Sequence, residues 1–459
     1  MIFILFCAVA IIAATALLFG LQNPETKISQ LLRLPGDAIY TLLHMSAKLA
    51  CSAHHISGFT PQRIHRDLRN YSPLFALVSI DQSRDITCAK IGNLISVKAC
   101  FHPLQGCRLI HQQSPAQLIE PPSHRDHYPK QSENECGYQW KASNPALQEL
   151  LDSQLHHDHE SGLDTRALLV TQGGQLQAEA YGLGISAHTP LLGWSMSKSL
   201  LAILFGRLET LGLADSTSLS LFPEWQNDRR SEITLQHLLQ MCDGLAFDET
   251  YRPGSDATRM LFGTLPASRY ALQRPLLHTP GRHFSYSSGS TNLLARWIHR
   301  ALGGTEATLH FWKKEFVEPL GLTSAILELD NDGVFIASSY GYATARDWAK
   351  IGGTLLKGLE NAYGSQPFLD PMWLSHALSP NRSDNDPRYG FQLWLNNRTN
   401  RLPPLYPQLP EDSAFMLGNR EQKLMIAPSH NAVVVRLGWS ASPYPIEDRF
   451  SEILEVLPN

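Results

Sequence analysis

Gly193-Trp194-Ser195-Met196-Ser197-Lys198-Ser199 opens a long apolar run that continues to Leu211. Leu200, Leu201, Ile203, Leu204 and Leu208 are spread over most sides of a 3.6-residue repeat, so the run reads as a buried helix beginning at Ser195. Ser195 and Lys198 are three residues apart, which places both side chains on one helix face with their Cβ atoms about 5–6 Å apart. A serine hydroxyl is a weak nucleophile unless a neighbouring base removes its proton. A lysine enclosed by apolar helix loses preference for its charged form and can serve as that base at neutral pH. The free N–H groups and dipole of the helix start favour negative charge developing there. The spacing alone is weak, because Ser-x-x-Lys arises about once by chance in a chain of this length and also describes an ordinary serine-capped helix.

Working outward, Pro280-Gly281-Arg282-His283-Phe284-Ser285-Tyr286-Ser287-Ser288 supplies a second element. A Pro-Gly turn, a short extended stretch and a helix beginning near Ser290 put Tyr286 on a loop edge. A tyrosine near a lysine cation can lose its proton more readily and can relay protons to a leaving group. A tyrosine that merely packs at a helix entry would look the same.

The flanking sequence supplies the frame. Pro145 suits a first helical position, with a helix over Ala146–Leu155. Ala167–Gln172 and Gln175–Tyr181 flank Gly173-Gly174 as a hairpin, and Thr234–Met241 and Thr291–Leu302 read as helices. Strand-like runs return at Lys423–Ala427 and Ala432–Leu437. Strands at both ends with helices between imply an α+β domain, an antiparallel sheet flanked by helices. Before it, residues 23–50 read as an amphipathic helix. Phe75–Ile80 and the stretches on either side of Gly92-Asn93 read as strands. Gln112–Gln139, with Pro115, Pro121, Pro122 and Pro129, reads as a linker or wrapping loop. The expected division is 1–22 as a membrane anchor or signal segment, 23–140 as an accessory segment and linker, and 141–459 as the main domain.

Composition narrows the function. With 38 basic and 42 acidic residues and 43% hydrophobic content the chain is ordinary globular protein. Neither sign of charge dominates and no basic stripe is interleaved with aromatics, so nucleic acid is not an expected partner. Met1–Gly20 carries no charged side chain and is long enough to span a bilayer. No Lys or Arg precedes it, which favours a retained anchor over a cleaved signal peptide. Lys27 and Arg33 follow the span and argue weakly for a cytoplasmic C-terminal side, a bias that long domains override. Beyond Cys7, the cysteines are Cys51, Cys88, Cys100, Cys107, Cys136 and Cys242. An even number outside the span suits disulfides in an oxidising compartment, with connectivity unreadable. No Cys-x-x-Cys pair exists. His156-His157-Asp158-His159-Glu160 reads as a polar loop without the fixed scaffold a metal needs, and neither a metal nor an organic cofactor is expected.

The chain resembles the serine β-lactamase and penicillin-binding-protein superfamily, and within it the class C-like branch of 6-aminohexanoate-dimer hydrolases and related esterases. The resemblance rests on stretches in one order: Gly193–Ser199, Ile233–Met241, Gly244-Leu-Ala-Phe-Asp-Glu-Thr-Tyr251, Pro280–Leu294, Glu318-Pro-Leu-Gly-Leu322 and Tyr342–Gly352. It covers the chain from about 165 onward, and the cysteine-bearing N-terminal segment is similar to that of some exported members. It implies a β-lactamase/DD-peptidase-like fold with an all-helical insertion. It also implies a hydrolase that cleaves a small-molecule or peptide amide or ester through an acyl-enzyme on Ser195. Lys198 would be the base and Tyr286 the proton relay. Ser195 and Gln422 would give backbone N–H groups to the oxyanion hole, and Tyr251, Ser288 and Asn419 would touch substrate. Together with the apolar N-terminus it implies a bacterial cell-envelope enzyme, held in the inner membrane with its catalytic domain in the periplasm, or secreted after cleavage. The third box departs from the pattern. In Gly418-Asn419-Arg420-Glu421-Gln422, Asn419 replaces a basic residue and Glu421 a glycine that allows close backbone approach. That argues against β-lactam turnover or D-alanyl-D-alanine peptidase activity and leaves room for a catalytically silent relative that binds cell-wall peptides or a partner.

Overall fold

The computed structural model describes residues 24–93, 95–110, 140–263, 265–356 and 367–458. A six-stranded antiparallel sheet carries the main body, in the order β10 (Trp394–Leu395), β11 (Ala414–Gly418), β12 (Gln422–Ala427), β13 (Ala432–Gly438), β5 (Thr165–Gln172), β6 (Gln175–Tyr181). Gly173 and Gly174 both have left-handed φ (57° and 76°), the two-residue turn whose twist suits a β-hairpin. Alternation sorts side chains to the two faces. Leu168, Val170, Met425 and Val434 face helices α3 (Pro145–Glu160) and α11 (Ile446–Val456), where Leu147, Leu151, Phe450 and Ile453 close one core. Leu169, Leu424, Ile426, Val433 and Val435 face the other way, onto α4 (Met196–Thr210) and α10 (Ala345–Gly353). The helices α5 (Leu235–Leu239), α6 (Asp256–Phe262), α7 (Ala267–Leu272), α8 (Ser288–Leu302) and α9 (Thr305–Phe311) lie between the two halves of the sheet in sequence. A small sheet of β7 (Leu191–Leu192), β9 (Gly341–Ala343) and β8 (Ile326–Leu327) ties the entry of α4 to the segment before α10.

Ahead of this body, α1 (Pro24–His55) packs on a four-stranded antiparallel sheet of β1 (Ser79–Gln82), β2 (Ile86–Ile91), β3 (Ile95–His102) and β4 (Gly106–Ile110), with α2 (Pro61–Arg69) between them in sequence. A disulfide joins Cys51 on α1 to Cys107 on β4. The segment does not form a core of its own. Leu49, Ile64, Leu68 and Phe75 belong to the same apolar cluster as Trp194 and Leu200. Lys48 is buried in an ion pair with Glu328, whose other oxygen accepts from Ser52 Oγ at 2.9 Å.

Three sequence expectations change. Phe75–Leu77 is not strand, because Pro73 and the Ser72 hydroxyl, which accepts from Leu74 N, start a tight helical turn that delays β1 to Ser79. His156–Glu160 is the last turn of α3 rather than a loop, and buried Asp158 accepts the Thr165 hydroxyl at 2.7 Å. Cys88, Cys100 and Cys242 carry free thiols, while Cys7 and Cys136 lie outside the described residues. Among the described residues no helix is long and apolar enough to cross a membrane. The expected anchor at 1–22 and the whole of the expected linker at Gln112–Gln139 lie outside them.

Candidate active site

From Leu191 to Gly206 every residue is buried except Ser195, which is partly exposed. It occupies the N-cap position of α4, yet its side chain makes no capping hydrogen bond. The hydroxyl is instead held by Lys198, whose Nζ donates to Ser195 Oγ at 3.0 Å. Lys198 also donates to Ser288 Oγ at 2.9 Å and to the Ser338 carbonyl at 2.9 Å, so all three of its N–H directions are used. Its side chain is 1% exposed. Burial is the largest influence on it and pulls its pKa down to about 8, with nearby Glu249 opposing. The nucleophile's backbone entry is also unusual. Trp194, fully buried, has φ 49°, a left-handed conformation that costs roughly 1–2 kcal/mol without glycine.

Tyr286 sits where a relay would be useful. Its hydroxyl lies beside Ser195, and its ring faces Lys198, with Nζ 5.0 Å from the centroid. The ring stacks on Trp394 of β10 at 5.4 Å, which fixes its plane. The expectation that the lysine would ease loss of the phenolic proton is not met. Burial and the Glu249 carboxylate push the Tyr286 pKa up, so this side chain stays a phenol that can accept one proton only as it passes another on.

Glu249 was not singled out from the sequence. Its Oε1 accepts the Ser288 hydroxyl at 2.6 Å and its Oε2 accepts Ser288 N–H at 2.7 Å. It lies 3.9 Å from Lys198 Nζ. Lys198, Ser288 and Glu249 thus form one hydrogen-bonded chain, in which burial raises the carboxyl pKa and the lysine lowers it. The signal was present as the Glu in Gly244–Tyr251, but only folding of that loop over α8 shows what it touches. Tyr251, from the same loop, packs edge-on against Trp194 at 6.2 Å, with its hydroxyl enclosed next to Ser339. Its first neighbour is thus the residue before the nucleophile.

The opposite wall is the turn between β11 and β12. Gly418 stands so close to the Gly193 carbonyl that an added Cβ would lie 2.2 Å from that oxygen. β10 pairs with β11 only at Ala414 and Phe415, which leaves the β11 edge beyond them unpaired with β10. Gln422 was expected to give its backbone N–H to the oxyanion hole. It begins β12, an interior strand, and its side chain bonds Gly438 N at 2.9 Å and the Asn419 carbonyl at 3.1 Å. The hairpin turns at Asn419–Glu421 and sets Gln422 directly opposite Gly418. Asn419 points to the accessory segment, with Nδ2 donating to the Tyr71 hydroxyl at 3.1 Å. Arg420 and Glu421 both take left-handed φ, 60° and 66°. Glu421 turns away from Ser195. It pairs with Lys423 at 3.0 Å and accepts Tyr444 N–H at 3.0 Å.

A serine hydroxyl held by a neighbouring lysine of lowered pKa, with a phenol beside it, can carry out acyl transfer. The sequence profile of the beta-lactamase family matches residues 112–453. Among curated proteins no sequence matches the chain. Among solved structures, a Bacillus anthracis protein described as a 6-aminohexanoate-dimer hydrolase is similar with 21% identity and a TM-score of 0.54, over 67% of this chain and 83% of that one. EstA from Arthrobacter nitroguajacolicus Rue61a is similar at 14% identity and TM-score 0.52, over 69% and 98%. A family VIII carboxylesterase is similar at 11% identity and TM-score 0.52, over 69% and 98%. At these identities the structural likenesses speak for the fold, and the family rests on the profile. The chain belongs to the beta-lactamase family, and it is a hydrolase of the serine type.

Proposed function

We propose that Ser195 is the nucleophile of an amidase or esterase acting on a small-molecule or peptide substrate. The observation that carries this is the Ser195 hydroxyl left out of helix capping and bonded to a buried lysine of lowered pKa. In its neutral form Lys198 takes the Ser195 proton as Oγ bonds to the substrate carbonyl carbon. The oxyanion is met by Ser195 N–H at the helix start and by an N–H of the Leu417–Asn419 edge. That edge replaces Gln422 in this role. The tetrahedral intermediate collapses with breakage of the C–N or C–O bond, and the proton from Lys198 reaches the leaving group through the Tyr286 hydroxyl. Water then attacks the acyl-enzyme by the same groups in reverse. Ser288 and Glu249 hold the lysine in place. Tyr251 and the Asn419 turn border the substrate.

Asn419 at the third box, engaged by Tyr71, makes recognition of β-lactams or D-alanyl-D-alanine a poorer fit than short amides and esters. The Cys51–Cys107 bridge favours an oxidising compartment, in keeping with export of this domain and anchoring through residues 1–22. The test is turnover of short chromogenic esters and amides by the wild type and by Ser195→Ala. Turnover by the wild type alone is expected. Equal turnover by both removes Ser195 from the reaction, and inertness of both favours a silent binding protein.

A further inference from the structure

Tyr71 lies just beyond α2, in the accessory segment, yet it touches both walls of the proposed site. Its ring lies 6.1 Å from that of Trp194, the residue before the nucleophile, and 5.5 Å from that of Trp439. Its hydroxyl accepts from Asn419 Nδ2, and the Arg420 guanidinium lies over its ring at 3.5 Å. Three residues at these contacts or next to them, Trp194, Arg420 and Glu421, hold left-handed backbone without being glycine. Each such residue is strained and persists only where its surroundings over-determine it. On the far side, the turn is gripped by Arg436 Nη1 donating to the Glu421 carbonyl at 2.7 Å and by Ser440 N donating to the Arg420 carbonyl at 3.2 Å. On the near side, Tyr71 is the grip.

The segment that carries Tyr71 is firmly seated. Trp439 Nε1 donates to the Asp67 carbonyl at 2.8 Å, Asn70 Nδ2 donates to the Trp439 carbonyl at 2.9 Å, and Arg166 pairs with Asp67 at 2.7 Å with both side chains under 10% exposed. Such a seat can transmit a fixed position to the turn.

We infer that Tyr71 is a positioning residue supplied by the accessory segment, holding the Asn419–Glu421 turn against the Ser195 loop so that the β11 edge meets the oxyanion. This rests on the proposed Ser195 reaction. Misplacing a catalytic group by about 1 Å can cost about 10²-fold. Tyr71→Ala is therefore expected to lower kcat for a short activated ester about 10- to 100-fold, with KM changed far less. Tyr71→Phe keeps the ring beneath Arg420 and loses the Asn419 bond, and it should fall between. Leu43→Ala, in α1 and outside these contacts, serves as the stability control. It should lower Tm and leave kcat as it was.

A second readout does not need turnover. Hydrogen exchange in the full-length protein should speed up across residues 415–424 in Tyr71→Ala and remain unchanged in Leu43→Ala. Wild-type kcat in Tyr71→Ala, or a kcat loss in Leu43→Ala at matched Tm loss, overturns the inference while the Ser195 reaction stands. If the wild type turns over no ester, the Ser195 reaction fails. Exchange over the turn then decides the role of Tyr71 alone, and unchanged exchange in Tyr71→Ala overturns it.

Discussion

The two walls of the site reach order by opposite routes. Gly193–Lys198 is fixed from within: helix α4 buries almost all of it, and the only partly exposed residue is the one that reacts. Asn419–Gln422 is fixed from without, by Tyr71, Arg436, Ser440 and Tyr444, each from another part of the chain. Where glycine would let a backbone bend freely, side chains from elsewhere hold it bent. The first wall is set by local sequence, and the second depends on the whole fold.

Changes at the first wall should therefore be the most damaging to catalysis. Lys198→Met is expected to lower acylation about 10²- to 10⁴-fold, the usual worth of a general base. Acylation by the wild type should rise with pH. Below a pKa of about 8 Lys198 is mostly ammonium, so the base form falls about tenfold per pH unit, and the rate levels above that value. A profile flat from pH 6 to 9 would take the base role from Lys198.

Gly418→Ala tests the point where the walls meet. Its methyl would run into the Gly193 carbonyl, so a 10- to 100-fold loss of kcat is expected, on the order of a misplaced hydrogen-bond donor, together with a lowered Tm. Unchanged kcat would mean that the β11 edge does not serve the reaction. Glu249→Gln is expected to be milder. Glu249 holds the Lys198 pKa up, so its removal should move the rising limb of the pH profile to lower pH. A move to higher pH would contradict that assignment.

Arg420→Gly should have the smallest effect. Glycine takes the left-handed backbone without strain, which offsets the lost contact with Tyr71, worth about 0.5–1 kcal/mol. Tm within a few degrees of wild type and kcat within about threefold are expected. A large loss of kcat with unchanged Tm would give the guanidinium a direct part in binding substrate.

The same division explains what was legible in the sequence. The Ser195–Lys198 helix, the Gly173-Gly174 hairpin and strands β12 and β13 follow from periodicity and turn chemistry, both local. Ser288 was named only through the family resemblance, as a substrate contact, and is instead buried between Lys198 and Glu249. Tyr286 could be placed because a Pro-Gly turn and a helix start bracket it. Glu249 and Tyr71 could not, since their importance lies in contacts that loops from remote stretches make only on folding. The tight turn at Asn419–Glu421 was not legible, because it passes through residues that carry no glycine signal. The cysteine count pointed to oxidised pairs, while the single bridge described, Cys51–Cys107, depends on how α1 lies across β4.

Covalent capture tests the role of Ser195 most directly. The wild type would be treated with a fluorophosphonate, digested, and mapped by mass spectrometry. One phosphonyl group per chain on Ser195, absent from Ser195→Ala and slowed in Lys198→Met, is expected. An adduct on another residue, or equal labelling of Ser195→Ala, would contradict the assignment of Ser195 as nucleophile.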